Sequence, residues 1–177
     1  MILDVSEEER KKAKIPHEIF LSNLIGNHVL WFIASLGLVR SYWQPMALVP
    51  VVSFSVLIYI LWRAKRSRTT DSWYVMCHWQ ICAGRARIIA YVLLALVVAA
   101  TLGWIGFTYF GMMEVAVYAM IGGVGVLPVM ATVLVLIVME QDIIHQAAQK
   151  KLPDSIIERF PNPGVRVLEE AEPVSPA

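Results

Sequence analysis

The side chains best suited to chemistry in this chain come in two pairs at helical spacing. His78 and Cys82 stand at i, i+4, and Asp142 and His145 at i, i+3, so each pair shares one face of a helix. Imidazole, thiolate and carboxylate groups from adjacent helices can hold a transition metal, and His78, Cys82, Asp142 and His145 form the candidate metal set. No HxxxH, ExxH, CxxC or HExxH spacing accompanies them. A plainer arrangement of the same region pairs Arg85 and Arg87 with Glu140 and Asp142 as ion pairs between helices, leaving the histidines at the interface. His17 and Glu18 open the first apolar stretch near the same level.

His28 is the one titratable side chain well inside an apolar stretch. As a haem ligand or proton relay it would need a partner from another helix at equal depth, and the expectation is a neutral, hydrogen-bonded histidine beside Asn27, with Asn23 or Ser22 in reach. Cys77 and Cys82 are about 140° apart around a helix at 100° per residue, which suits neither a mutual disulfide nor a redox pair. The run IGGVGVLPV places Gly122, Gly123, Gly125 and Pro128 near the middle of another apolar stretch. Glycine admits close backbone approach, and proline removes an N–H from the helical ladder. These four residues predict a helix break used for packing, with exposure of carbonyls to an ion or solute as the alternative. Glu114 reads as a carboxylate at a helix N-terminus. Phosphate-binding glycine loops, nucleophile elbows and paired catalytic carboxylates do not occur, and neither an enzyme nor an obligatory cofactor is expected.

The elements that must position these residues follow from composition. The 177 residues are 58% hydrophobic and 16% charged, with a mean hydropathy of +0.61, against about 25% charged in a soluble domain. That excess predicts a membrane protein. A net charge of +1 and the lack of a basic, aromatic-interleaved stripe argue against nucleic-acid binding. The first 18 residues are charged and lack the apolar core of a secretory signal. A helix needs about 20 apolar residues to cross a hydrocarbon core of roughly 30 Å, and stretches at about 19–39, 45–62, 88–110 and 115–139 meet that length. The third and fourth continue in helical pattern beyond the bilayer, over 73–87 and 140–151.

Of the 15 Lys and Arg residues, all but Arg40 flank one side of these spans. The positive-inside rule places that side, with both termini, in the cytosol. Tyr42, Trp43, Trp104, Tyr109 and Phe110 supply an outer aromatic belt. Short outer connections predict that helices 1/2 and 3/4 form antiparallel hairpins. Equal depth in the second hairpin then requires residue numbers summing to roughly 222, which levels His78 with His145 and Cys82 with Glu140. The segment from Leu152 carries Pro153, Pro161, Pro163, Pro173 and Pro176, and it reads as an extended, proline-rich arm or partner-binding segment.

The resulting expectation is an all-α polytopic protein of a bacterial inner membrane. It comprises a cytosolic segment 1–18, a four-helix membrane domain 19–151 and a cytosolic tail 152–177. Its expected role is a non-enzymatic subunit or scaffold that packs with other membrane proteins or with itself. A small oligomeric channel or transporter working through the break in the fourth helix is the alternative, and a metal- or haem-binding redox protein is a third reading.

Overall fold

A computed structural model of the chain describes residues 2–38, 41–42, 44–164 and 167–169. Arg40, Trp43, Arg166, Pro173 and Pro176 lie outside the described residues. Four helices, α1 (Glu7–Leu36), α2 (Gln44–Thr70), α3 (Trp73–Phe110) and α4 (Glu114–Ala148), are each long and apolar enough to cross a membrane. A short helix, α5 (Asp154–Arg159), and two strands, β1 (Ile2–Leu3) and β2 (Val167–Glu169), complete the described elements.

The first helix starts twelve residues before the apolar stretch. Ser6 caps it: its hydroxyl accepts from the Glu9 N–H, and the Glu9 carboxylate reaches back to the Ser6 N–H at 3.0 Å. This reciprocal capping box satisfies two donors that the helix leaves open, and Glu7–Glu9 complement its positive end. The helix passes through Pro16 and widens over Asn23–Trp31 into π-type hydrogen bonding. The fourth helix widens likewise over Ile121–Val126, just before Pro128. The glycine- and proline-rich run therefore does not interrupt α4; the looser turn accommodates the donor that Pro128 lacks.

The second helix continues to Thr70, so the basic segment after Trp62 is helical and only Asp71 and Ser72 connect α2 to α3. Arg63 holds that corner, pairing with Asp71 at 2.7 Å while its guanidinium lies 5.0 Å from the Trp79 ring. The third helix runs 38 residues without a proline and stops at Gly111, whose φ of 66° is the left-handed conformation that suits glycine.

All four helices contribute to one core, with Phe20, Leu57, Ile60, Ile89, Val133 and Leu136 at its centre. The third helix touches each of the other three. Along α3 and α4, Gly103 faces Met120 and Leu96 faces Gly125. A Cβ on Gly125 would meet Leu96 Cδ1 at 2.4 Å, so a side chain there requires the end of Leu96 to shift. Outward faces of the helices carry large exposed apolar residues such as Leu30, Val51, Leu94, Leu102, Val124 and Leu134, a surface that water does not tolerate over such an extent.

At the charged end, a second apolar cluster brings Leu3, Val5, Tyr74, Cys77, Leu152 and Ile156 together. The chain reverses after α4 at Lys150, which has a φ of 59° and whose carbonyl accepts from the Leu3 N–H at 3.0 Å. The Trp73 indole donates to the Phe160 carbonyl at 2.7 Å. Residues 152–160 are thus folded onto α3, whereas the sequence suggests an extended arm. Too few apolar residues lie in this segment for a core of its own, and it borrows one from α3.

Candidate functional site

Three helices place ionisable side chains in one buried row at the charged end of the bundle. His17 comes from α1, His78 and Arg85 from α3, and Glu140 from α4. The His17, His78 and Glu140 side chains are fully excluded from solvent. His17 Nδ1 lies 2.6 Å from Glu140 Oε2, and His17 Nε2 lies 3.1 Å from His78 Nδ1. The other carboxylate oxygen, Oε1, accepts from Arg85 at 2.9 Å, and the same guanidinium nitrogen donates to the Met139 carbonyl at 3.0 Å. The row reads Arg85, Glu140, His17, His78, in contact order.

Local sequence explains how each member arrives. Pro16 and His17 sit on the buried side of α1 above Phe20, and Cys82 donates to the Pro16 carbonyl at 3.3 Å, which brings α1 against α3. Tyr74, one turn before His78 on α3, packs edge-on against the His78 ring at 4.8 Å between centroids. Its hydroxyl donates to the Ala147 carbonyl of α4 at 3.4 Å. Glu140 projects inward with Leu136 and Ile143 along the buried stripe of α4.

The hydrogen-bond directions follow from the carboxylate. Glu140, with Arg85 on one oxygen, accepts the His17 Nδ1 proton on the other. His17 Nε2 faces His78 Nδ1, and one of these two ring nitrogens donates to the other. His78 Nε2 is left without a hydrogen-bond partner. The ring lies in the stretch of α3 that precedes the apolar span beginning near residue 88. Burial holds it well below the usual histidine range, and His17 and Arg85 add to the effect, so it stays neutral. Burial, with the Glu140 carboxylate beside it, also pushes the Cys82 thiol well up, which keeps it a thiol.

The four residues expected to share a metal are separated. His78 and Cys82 point inward, whereas Asp142 and His145 are exposed and bond within α4, to Gln146 at 2.7 Å and Gln149 at 2.7 Å. His78 meets His17 and not His145. Among the described residues no three His, Cys, Asp or Glu side chains are disposed to hold a metal ion. Of the four residues expected as ion pairs, Arg85 and Glu140 meet; Arg87 is exposed and among the described residues makes no ion pair. Glu114 accepts from the Tyr118 hydroxyl at 2.8 Å.

Deeper in the bundle, His28 Nε2 lies 2.8 Å from Ser53 Oγ, and Asn27 donates to the Val49 carbonyl at 2.9 Å. Both are buried and tie α1 to α2. Gly125 is buried against Leu96, whereas Gly122 and Gly123 have open space where a Cβ would stand, and Pro128 is exposed. Only one of the four packing candidates is therefore a close-contact site within this chain. His17 was visible in the sequence as a polar residue at the start of an apolar stretch. Its pairing was not, because the face that α1 turns inward depends on the packing of Phe20 in the core shared with the other helices. No protein family, no curated protein and no solved structure matches this chain.

Proposed function

We propose that this chain is a non-enzymatic integral membrane subunit or scaffold of a bacterial inner membrane, with both termini and the ends of α3 and α4 in the cytosol. Its four spans are read as two antiparallel hairpins, α1/α2 and α3/α4, joined through α3. The observation that carries the reading is the buried row itself. Arg85, Glu140, His17 and His78 bond to one another across three helices, and their shared bonds pin α1 to the α3/α4 pair. A carboxylate and a guanidinium kept for that purpose make a fixed architecture, since loss of either partner would strand a buried charge. The folded cap of β1, α5 and the start of α3 adds a shaped surface beyond the membrane for cytosolic contacts.

Purification of the tagged protein from its native membrane in mild detergent, with mass spectrometry of the intact complex, tests the proposal. Polypeptides recovered in fixed ratio support it. A chain that is recovered alone and that moves a solute when reconstituted in liposomes overturns it.

One observation favours a channel or transporter as the second reading. The π-type segments of α1 and α4 flank a single cavity of about 420 Å³, with His28, Phe32, Ile121 and Val126 among its walls. Such widened turns recur at functional sites. On this reading, replacement of Gly125 and Pro128 by alanine abolishes flux in liposomes at unchanged expression.

A further inference from the structure

A second, larger recess lies on the outside of the bundle, between α1 and α2, with a volume of about 760 Å³. Glu18, Ser22, Asn23 and Gly26 form its α1 wall, and Leu48 and Val52 belong to its α2 wall. The volume falls within the roughly 300–1,000 Å³ typical of small-molecule sites. We propose that this groove binds one phospholipid whose headgroup carries a primary ammonium.

Length is the first argument. The groove runs along α1 from Glu18 to Trp31, thirteen helical steps, or up to about 20 Å at 1.5 Å per step. That is about half of a bilayer of 40–45 Å with its headgroups. The groove therefore matches one leaflet, from the headgroup level to the midplane. A transmembrane helix of a partner would require a seam along the whole span.

Polarity along the groove has the order of an amphiphile. Glu18 and Ser22 stand at i, i+4 on α1, hence on one face, and among the described residues Glu18 makes no ion pair. Glu18 is exposed at the mouth. A zwitterionic headgroup fits that order, with its ammonium on the Glu18 carboxylate and its phosphate deeper, between Glu18 and Asn23, accepting from the Ser22 hydroxyl. A primary ammonium donates hydrogen bonds to a carboxylate, which a quaternary choline cannot do. An anionic glycerol headgroup brings no cation to Glu18.

About 7.5 Å deeper, by the same helical rise, lies Asn23. It is 5% exposed, and its Nδ2 has no hydrogen-bond partner, although its Oδ1 accepts from Asn27. An amide donor left unsatisfied in hydrocarbon is costly. The ester carbonyls of a phospholipid lie at this depth below the headgroup and supply acceptors, met by a small rotation of the amide. Beyond Asn23 the floor is clear, because a Cβ on Gly26 would meet nothing within 4 Å. The acyl chain extends over Gly26 against Val52 towards Trp31.

The proposal depends on the membrane placement of the four helices and not on the assembly role, so loss of lipid selectivity leaves co-purification of partner subunits unaffected. The test is native mass spectrometry of the detergent-purified protein after incubation with equal amounts of palmitoyl-oleoyl phosphatidylethanolamine, phosphatidylcholine and phosphatidylglycerol. The ethanolamine lipid is expected to be retained roughly tenfold over the choline lipid, the worth of one charge-assisted hydrogen bond. Glu18→Gln should erase that preference while retention itself persists. Gly26→Leu should fill the floor and lower retention of all three, whereas Gly122→Leu, open to the outside on a different helix, should change nothing. Helical content by circular dichroism checks that each variant is folded. Equal retention of the three lipids, or a Gly26→Leu variant that behaves as wild type, overturns the proposal. So does a photo-crosslinker at position 26 that captures a polypeptide in native membranes in place of lipid.

Discussion

His17 Nδ1 and Glu140 Oε2 lie 2.6 Å apart with both side chains fully buried, although 123 positions separate the two residues. This contact is the shortest in a row that Arg85 closes at one end and His78 at the other. A carboxylate removed from water needs compensation on both oxygens. Arg85 supplies it on one and His17 on the other. The pairing thus defines how the first helix sits on the last.

Glu140→Ala is expected to destabilise the protein by about 3–5 kcal/mol, because it strands the Arg85 guanidinium in a largely buried site. Glu140→Gln should cost less, since the amide retains an acceptor for Arg85. Thermal unfolding in detergent, followed by circular dichroism at constant lipid and detergent, measures both. A Glu140→Ala variant as stable as wild type would show that the row does not hold the helices together.

The neutral state of His78 predicts a pH dependence with a definite sign. Its folded pKa is depressed, so below about 6.5 the unfolded chain binds a proton that the native protein excludes. Stability should then fall as pH drops below that value, by up to about 1.4 kcal/mol per pH unit for this one group. The groups facing His78 are His17, Tyr74 and, through its charge, Arg85. Unfolding midpoints of wild type and His78→Gln at pH 7.5 and 5.5 decide the matter. The variant should lose less between the two than wild type does.

Gly125 and Gly122 differ by three positions and should differ sharply in tolerance. Gly125→Val forces a side chain into Leu96 and should cost about 1–3 kcal/mol through overpacking. Gly122→Val meets open space and should change stability little. Parallel unfolding curves of the two variants provide the comparison, and equal losses would contradict the close approach at Leu96.

Docking of the segment after α4 rests on few residues, of which Leu152 and Ile156 are buried. Ile156→Ser should cost about 2 kcal/mol locally, from lost apolar burial and a buried hydroxyl. The observable is local opening: amide exchange at residues 152–160 and around Leu3 should accelerate, while exchange in the middle of α3 stays slow. Uniform exchange across all these residues in the variant would mean that the cap is not a separate layer.

Asn27→Leu tests the link between α1 and α2. The amide donates to the Val49 carbonyl and to Asn23, so leucine of similar volume removes the link to α2 and leaves the buried Asn23 Oδ1 without its donor. A loss of about 1–3 kcal/mol is expected in the same unfolding assay, and no loss would show that Asn23 Oδ1 finds another donor.

Much of the architecture was legible because hydropathy along a chain is a local property. The four apolar stretches, the glycine and proline run near the middle of the fourth, and Arg85 and Glu140 at neighbouring levels of α3 and α4 all follow from residue type and spacing. Three readings did not survive the structure. The second apolar stretch ends at residue 62 and suggested a loop over 63–72, but the α2 ladder continues through the basic residues to Thr70 because they are good helix formers and the buried seam persists at Ala64 and Ser67. Prolines suggested an extended tail, yet Leu152 and Ile156 find apolar partners on α3. His78 and His145 were expected at one level of two helices, and a third, α1, sets His17 between His78 and Glu140 while His145 stays exposed.

What the amino-acid sequence determines by itself is how each segment meets its surroundings: which stretches are apolar enough to leave water, where a capping box starts a helix, where Gly111 ends one. Those are properties of neighbours in the chain. Which polar groups become partners was decided only in the tertiary structure, by helix rotation. A turn of 100° per residue carries His145 outward and His17 inward at nearly the same depth. The rotation of each helix depends on the packing of Phe20, Ile89 and Leu136 in the shared core, and no single segment contains that information.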